Sequence, residues 1–257
     1  MSAPFGFQII IYLFLAGIAA GSAMVASLML HRSHPDAFAV GKRSLILSIF
    51  AIGFGVLFLV ADLANPSEFF LILTKANPTS AIAWGARIVT SFSLVAIFCW
   101  TLYRGKSTGS ATSAEFAALW VLRLLALALA IYPGFVLMQG KAMALWNTWI
   151  IVPLIALSGV HAGFAASSLL SGTREAWSLN RRAGEKVLLV ILGLLLVSLL
   201  VLAKAFPLLA ILALLTSVLI PFALLDRAAG ALVSLSILVG SFVLRAWLIT
   251  DGQSLFF

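Results

Sequence analysis

Long apolar runs decide which folds are open to this chain. Eight stretches of 17–26 residues pass with at most one charge each, and about 20 such residues cross the hydrocarbon core of a lipid bilayer as a helix. They cover residues 5–30, 44–61, 81–103, 116–138, 145–170, 187–203, 206–225 and 230–249. The sequence therefore predicts an all-α integral membrane protein of eight transmembrane helices. We expect a single transmembrane domain over residues 1–257, with two four-helix bundles as its halves, 1–138 and 139–257.

Composition excludes several classes of function. Only 9% of the residues are charged, against roughly 25% in a soluble domain, so the net charge of +8 indicates charge sorting across a bilayer and not nucleic-acid binding. Cys99 is the single cysteine, which excludes a disulfide framework and a zinc or iron–sulfur centre held by cysteines of this chain alone. The three histidines form no pair facing across neighbouring spans, so we expect no metal and no bis-histidine haem.

The distribution of basic residues predicts the topology. The loops after spans 1, 3, 5 and 7 carry ten Lys and Arg residues, while the other loops and the termini carry three. Because basic loops stay in the cytoplasm, both termini are expected on the outer, periplasmic side. The outer loop over residues 62–80 is bounded by prolines and amphipathic in its middle, and we expect it to form a docking platform.

Polar residues of five spans fall at similar depth in the outer half of the predicted bundle. Pro133 and Gly134 follow one of them directly and are expected to loosen the helix and open a pocket. The alternative is that the tyrosines belong to the ordinary aromatic belt of the membrane interface. The candidate site comprises Tyr12, Asp62, Trp84, Arg87, Tyr132 and Arg245.

The charged residues have more than one interpretation. Asp62 ends span 2 and could accept protons, pair with Arg87 or Arg245, or only terminate the helix. The two arginines could equally be structural partners of carboxylates or of helix carbonyls. Arg123 and His161 lie deeper and form either a proton path towards the cytoplasm or simple helix–helix hydrogen bonds.

Five segments carry a resemblance to a known family. They are LAGIAAGSA in span 1, VADLANPSEFF leaving span 2, NPTSAIAWGAR entering span 3, IYPGF in span 4 and LRAWLITDGQ closing span 8. The protein resembles the membrane subunit of the NrfD/polysulfide reductase family. The resemblance lies in these segments, in their order along the sequence and in the number of spans. The spacing of Gly17 and Gly21 in the first segment independently favours close helix packing.

The resemblance implies a haem-free subunit that binds menaquinol or ubiquinol near the outer face of the cytoplasmic (inner) membrane of a prokaryote. Its partners would be a four-cluster iron–sulfur subunit and a molybdopterin catalytic subunit. Tyr132 matches the family's quinone-site tyrosine, while span 1 offers Tyr12 where some relatives carry histidine and asparagine, and Trp84 lies at the same depth. Asp62, Arg245 and Arg87 would then handle the quinone protons.

Two other classes of function fit the same sequence. Intramembrane Arg and His residues and a Pro-Gly break also suit a secondary transporter or proton channel. That interpretation lacks paired broken helices and a line of carboxylates across the membrane. A pure anchor, in which the polar cluster only stabilises the bundle, is the third possibility.

Overall fold

The computed structural model describes residues 6–32, 34–62, 80–107, 112–140, 146–171, 189–199, 208–221 and 230–254. Every regular element in these ranges is helical, which confirms the all-α prediction for this part of the protein. The helices are α1 (Phe7–Met29), α2 (Pro35–Ala61), α3 (Ala81–Tyr103), α4 (Ser113–Met138), α5 (Ile151–Ser171), α6 (Leu189–Leu199), α7 (Leu208–Leu214, continued by a π-helical turn over Leu215–Leu219) and α8 (Gly230–Ser254).

Six of these helices, α1 to α5 and α8, are long and apolar enough to cross a membrane. The described parts of α6 and α7 are shorter apolar helices and fall inside the predicted spans 187–203 and 206–225. The total of eight spans therefore stays a prediction.

Some helices extend beyond the apolar runs that predicted them. Helix α2 begins at Pro35, whereas the predicted span begins at residue 44. Proline suits the first turn of a helix, and Asp36 in the same turn interacts favourably with the helix dipole. Lys42 and Arg43 interrupt the hydrophobic run but not the helix, because a polar helix end needs no apolar surroundings.

Helix α1 lies at the centre and packs against α2, α4, α5 and α8. Its buried face is rich in small residues, which let neighbouring backbones approach closely. A Cβ atom placed on Gly17 would lie 2.8 Å from Cα of Gly159, and one placed on Gly163 would lie 2.5 Å from Cα of Gly21. These pairs show that α1 and α5 run parallel and that the predicted close packing is present.

Contacts between the other helices define two ends of the bundle. Ser48 of α2 donates to the carbonyl of Ala19 (2.8 Å), while Gly55 contacts Tyr12, so α1 and α2 are antiparallel. Equivalent contacts orient α1, α3 and α5 one way and α2, α4 and α8 the other. The basic end contains Arg32, Lys42, Arg43, Arg104 and Lys106, and the tyrosine end contains Tyr12 and Tyr132.

Cations bind the helices that terminate at the basic end. The last carbonyls of a helix lack intrahelical partners and carry partial negative charge. For α1, α3 and α5, a basic side chain from a helix of opposite direction binds a carbonyl in or just after the last turn. The bonds run from Lys42 Nζ to Arg104 O (2.8 Å) and Lys106 O (3.1 Å), from Arg43 Nη1 to Leu170 O (3.1 Å), and from Arg123 Nη2 to Ser27 O (3.2 Å).

A capping box starts α4 at the same end. The Thr112 backbone N–H donates to Glu115 Oε2 (2.8 Å), and the Glu115 N–H donates to Thr112 Oγ1 (3.4 Å). Lys106 Nζ lies 2.6 Å from Glu115 Oε1. Lys106, which follows α3, is thereby tied to the start of α4.

The seam between α1 and α5 leads to a stability prediction. Gly163→Leu would press its side chain against the backbone of α1, and we expect a loss of at least about 2 kcal/mol in unfolding free energy from this overpacking. Thermal unfolding in detergent should then show a lower midpoint. Gly53→Leu is the matched control, because a Cβ at Gly53 meets nothing within 4 Å. Equal midpoints for the two variants would contradict this packing.

Candidate functional site

Two tyrosines from distant parts of the sequence meet at the tyrosine end. The hydroxyl groups of Tyr12 in α1 and Tyr132 in α4 form a hydrogen bond. Tyr12 is buried, with 4% exposure, and Tyr132 is partly buried. In such a pair one hydroxyl donates, and the other accepts while keeping its own proton. The pair therefore offers one phenolic proton to a third group.

Two glycines lie against the tyrosine rings. A Cβ on Gly85 of α3 would lie 2.7 Å from Cε2 of Tyr132, and one on Gly55 of α2 would lie 3.5 Å from Cδ2 of Tyr12. The first distance leaves no room for a side chain, so α3 approaches Tyr132 only because residue 85 is glycine. Gly85 was not among the predicted site residues, although it follows Trp84 directly in the sequence.

The segment after Tyr132 brings another helix close. Pro133 lies inside α4, which nevertheless continues to Met138. Proline has no N–H, so the carbonyl of Leu129 loses its usual helical partner. A Cβ on Gly134 would lie 2.5 Å from Cα of Val152. The segment therefore packs α4 closely against α5 beside the tyrosine pair.

Trp84 and Arg87 associate with each other and not with the tyrosines. The Arg87 guanidinium carbon lies 5.5 Å from the centroid of the Trp84 ring, which is a cation–π arrangement. Trp84 is 56% exposed. Within the described residues neither side chain forms a hydrogen bond with Tyr12 or Tyr132. They occupy the neighbouring, exposed side of α3.

Asp62 is the C-cap residue of α2, at the tyrosine end of the bundle. Its Oδ1 would lie 3.0 Å from a Cβ on Gly6, the N-cap residue of α1. Asp62 lies seven positions after Gly55, which contacts Tyr12. At 1.5 Å per residue this places Asp62 about 10 Å along the axis of α2 from the contact between Gly55 and Tyr12. Among the described residues Asp62 forms no ion pair with Arg87 or Arg245.

Arg245 of α8 lies on another side of α1. Its Nε donates to the carbonyl of Leu13 (3.0 Å) and its Nη1 to that of Ser241 (2.8 Å). Gly17, which contacts the guanidinium, follows Tyr12 by five residues and so lies about 140° around α1 from it. Arg245 is therefore separated from the phenols by the body of α1.

Of the two predicted inner residues, Arg123 lies towards the basic end, whereas His161 lies at the middle of α5. Arg123 Nε donates to Ser27 Oγ (3.2 Å), and its guanidinium lies 4.3 Å from the centroid of the Trp120 ring. Nδ1 of His31 lies 3.3 Å from the carbonyl oxygen of Ser27. His161 is buried within α5, with 3% exposure. Ser27 and His31, which were not among the predicted site residues, thus accompany Arg123.

The described residues contain no group of three or more His, Cys, Asp or Glu side chains that could hold a metal ion. The groups that meet at the tyrosine end are phenols, with a carboxylate and two guanidinium groups nearby. Phenols can donate and accept hydrogen bonds to a bound molecule, a carboxylate can accept a proton, and guanidinium groups only donate hydrogen bonds.

Comparison with known proteins identifies the family. The family model described as "Polysulphide reductase, NrfD" matches residues 1–204. One of the component chains of the polysulfide reductase of Wolinella succinogenes is 28% identical over 178 residues, which cover 63% of this protein and 56% of the relative. One of the subunits of the selenate reductase of Mesobacillus selenatarsenatis is 25% identical over 111 residues, covering 43% of this protein and 26% of the relative.

The matches thus span about half the length of the first relative and about a quarter of the second. The family match includes Tyr12, Asp62, Trp84, Arg87 and Tyr132 and ends before α8. Since it extends over most of the sequence and the helices are those of a multi-pass membrane protein, the protein belongs to the NrfD polysulphide reductase family.

Proposed function

We propose that the protein is the quinone-binding membrane subunit of a multi-subunit oxidoreductase, and that Tyr12 and Tyr132 bind the quinone head group. The hydrogen bond between these phenols, which belong to helices far apart in sequence, is the observation that carries the proposal. The relatives support it, because both are named as components of reductases. The bound molecule is menaquinone or ubiquinone.

The tyrosine pair suits both forms of a quinone. A quinone carbonyl needs a hydrogen-bond donor, and the phenolic proton left over from the pair supplies one. A quinol hydroxyl needs an acceptor, and the phenol oxygens provide it. Trp84, exposed next to the glycine that contacts Tyr132, lines the approach from the lipid.

Oxidation of a quinol to a quinone releases two electrons and two protons. In our proposal the electrons pass to the four-cluster iron–sulfur subunit, which serves a molybdopterin catalytic subunit. The protons leave through Asp62, which lies about 10 Å along α2 from the contact between Gly55 and Tyr12, with water in between. Arg87 adds positive charge on the α3 side that favours loss of protons from the quinol. A path through Arg123 and His161 to the other side stays a prediction.

The proposed orientation rests on the basic end. Five of the described Lys and Arg residues lie there, as the positive-inside rule requires of a cytoplasmic face. The tyrosine end and both termini then face the periplasm across the cytoplasmic membrane of a prokaryote. The single domain over residues 1–257 would dock its partners on this outer face through residues 62–80, of which 63–79 lie outside the described residues.

Removing either phenolic hydroxyl tests the proposed function. In the assembled complex, Tyr12→Phe and Tyr132→Phe should each raise the KM for a quinol analogue about tenfold, since a hydrogen bond contributes about 1–1.5 kcal/mol. The effect of the double variant should be smaller than the sum, because the two groups are hydrogen-bonded to each other.

Tyr103→Phe is the matched control for these variants. Tyr103 is the third tyrosine of the protein and is buried near the basic end. The KM of the Tyr103→Phe variant for the quinol analogue should therefore equal that of the wild type. An equal loss in all three single variants would indicate general destabilisation. Unchanged kinetics in Tyr12→Phe and Tyr132→Phe would refute quinone binding by the pair and favour a pure anchor. A wild type without any quinol turnover would favour a transporter.

Cysteine labelling tests the orientation. Cys99 is buried, so a membrane-impermeant maleimide added to intact spheroplasts should leave the wild type largely unlabelled. Gln139→Cys, exposed at the tyrosine end, should react, whereas Ser107→Cys, exposed beyond α3 at the basic end, should react only after the cells are opened. The reverse pattern would place the tyrosine pair on the cytoplasmic side.

A further inference from the structure

Arg245 is a buried cation that contacts three helices. It belongs to α8 and is 1% exposed. Its Nε donates to the Leu13 carbonyl of α1, and its Nη1 donates to the carbonyl and the hydroxyl oxygen of Ser241 one turn earlier in α8. The Ser241 hydroxyl in turn donates to the Ser158 carbonyl of α5 (3.2 Å). Within the described residues no carboxylate pairs with Arg245.

The guanidinium fits between two glycines. A Cβ on Gly17 of α1 would lie 2.6 Å from Nη2 of Arg245, and a Cβ on Gly159 of α5 would lie 2.9 Å from the same atom. Any larger residue at either position would therefore compete with the guanidinium for space. The two glycines make room for the arginine at the same place where they bring α1 and α5 together.

The contact with α1 is made next to the tyrosine pair. Leu13, whose carbonyl accepts the Arg245 bond, directly follows Tyr12. On its other side this turn of α1 carries the Tyr12 ring against Gly55 and the Tyr12 hydroxyl against Tyr132. A movement of α1 along or around its axis would displace the Tyr12 hydroxyl, and a hydrogen bond tolerates a displacement of only a few tenths of an ångström, roughly.

We propose that Arg245 is a positioning residue for the quinone site: it fixes α1 against α5 and α8 so that the Tyr12 hydroxyl meets Tyr132. The inference rests on the proposed function of the tyrosine pair. A guanidinium keeps its protons in proteins, and Arg245 lies on another side of α1 from the phenols. It therefore acts through the placement of Tyr12 and does not itself carry protons.

The test compares Arg245→Gln and Arg245→Lys with the wild type in the assembled complex. Arg245→Gln removes the charge and the fork of donors of the guanidinium. We expect the KM of this variant for a quinol analogue to rise about tenfold, because the Tyr12 hydroxyl is misplaced. Lys keeps the charge, but its ammonium is a compact point charge without the guanidinium fork, so it should restore only part of the loss. The pH profile of kcat should keep its shape in both variants, because no proton-carrying group is removed.

Lys42→Gln is the matched control. Like Arg245→Gln, it removes a cation bound to backbone carbonyls of a neighbouring helix, but at the opposite end of the bundle. The KM of Lys42→Gln for the quinol analogue should therefore equal that of the wild type. If Arg245→Gln fails to assemble, Ser241→Ala gives the same readout, because it removes one acceptor of Arg245 and leaves the charge in place. A rise in KM for Ser241→Ala, smaller than tenfold, is then expected.

Tyr132→Phe measured in parallel separates the two claims. If Tyr132→Phe raises the KM but Arg245→Gln keeps the wild-type KM, the positioning role alone is overturned. The same holds for Ser241→Ala where that variant replaces Arg245→Gln. No effect of Tyr132→Phe would overturn the proposed function itself. A shifted pH profile of kcat with an unchanged KM in Arg245→Gln would also overturn the positioning role and assign proton handling to this residue.

Discussion

The bilayer core contains no water to solvate polar groups, so buried charges and free backbone carbonyls must find partners within the protein. In the described part of this protein they largely find each other. Arg245 binds a carbonyl inside α1, and Arg123 binds one near the end of α1. At the exposed basic end, Lys42 and Arg43 bind the last carbonyls of neighbouring helices in the same way. The basic residues that indicate the orientation of the bundle therefore also join its helices.

These bonds act together with the small residues of α1. Because Gly17 and Gly21 let α5 approach backbone to backbone, α1 has a fixed position among its neighbours. That position places Tyr12 against Tyr132, which α4 brings from the other side of the bundle. The proposed quinone site thus depends on packing on a different side of α1, where Arg245 and the glycines lie.

Hydrophobicity predicted the helices and the depth of their polar residues, and it was sufficient to bring Tyr12 and Tyr132 into one candidate site. Depth says little about direction around a helix axis. Tyr12 and Gly17 differ by about 140° around α1, so Arg245 lies at the level of the tyrosines but on another side. The role of Gly85 could not be predicted either, because the sequence does not show which side chain of another helix packs against a glycine.

A quinone head group bound by the tyrosine pair would accept a hydrogen bond at one of its carbonyls. Infrared difference spectroscopy of the purified complex, with menaquinone labelled with ¹³C at its carbonyls, tests this central claim most directly. A carbonyl band shifted to lower frequency than in lipid, and returning towards the lipid value in Tyr132→Phe, is the predicted result. A carbonyl band that is the same in lipid, in the wild type and in the variant would contradict the claim.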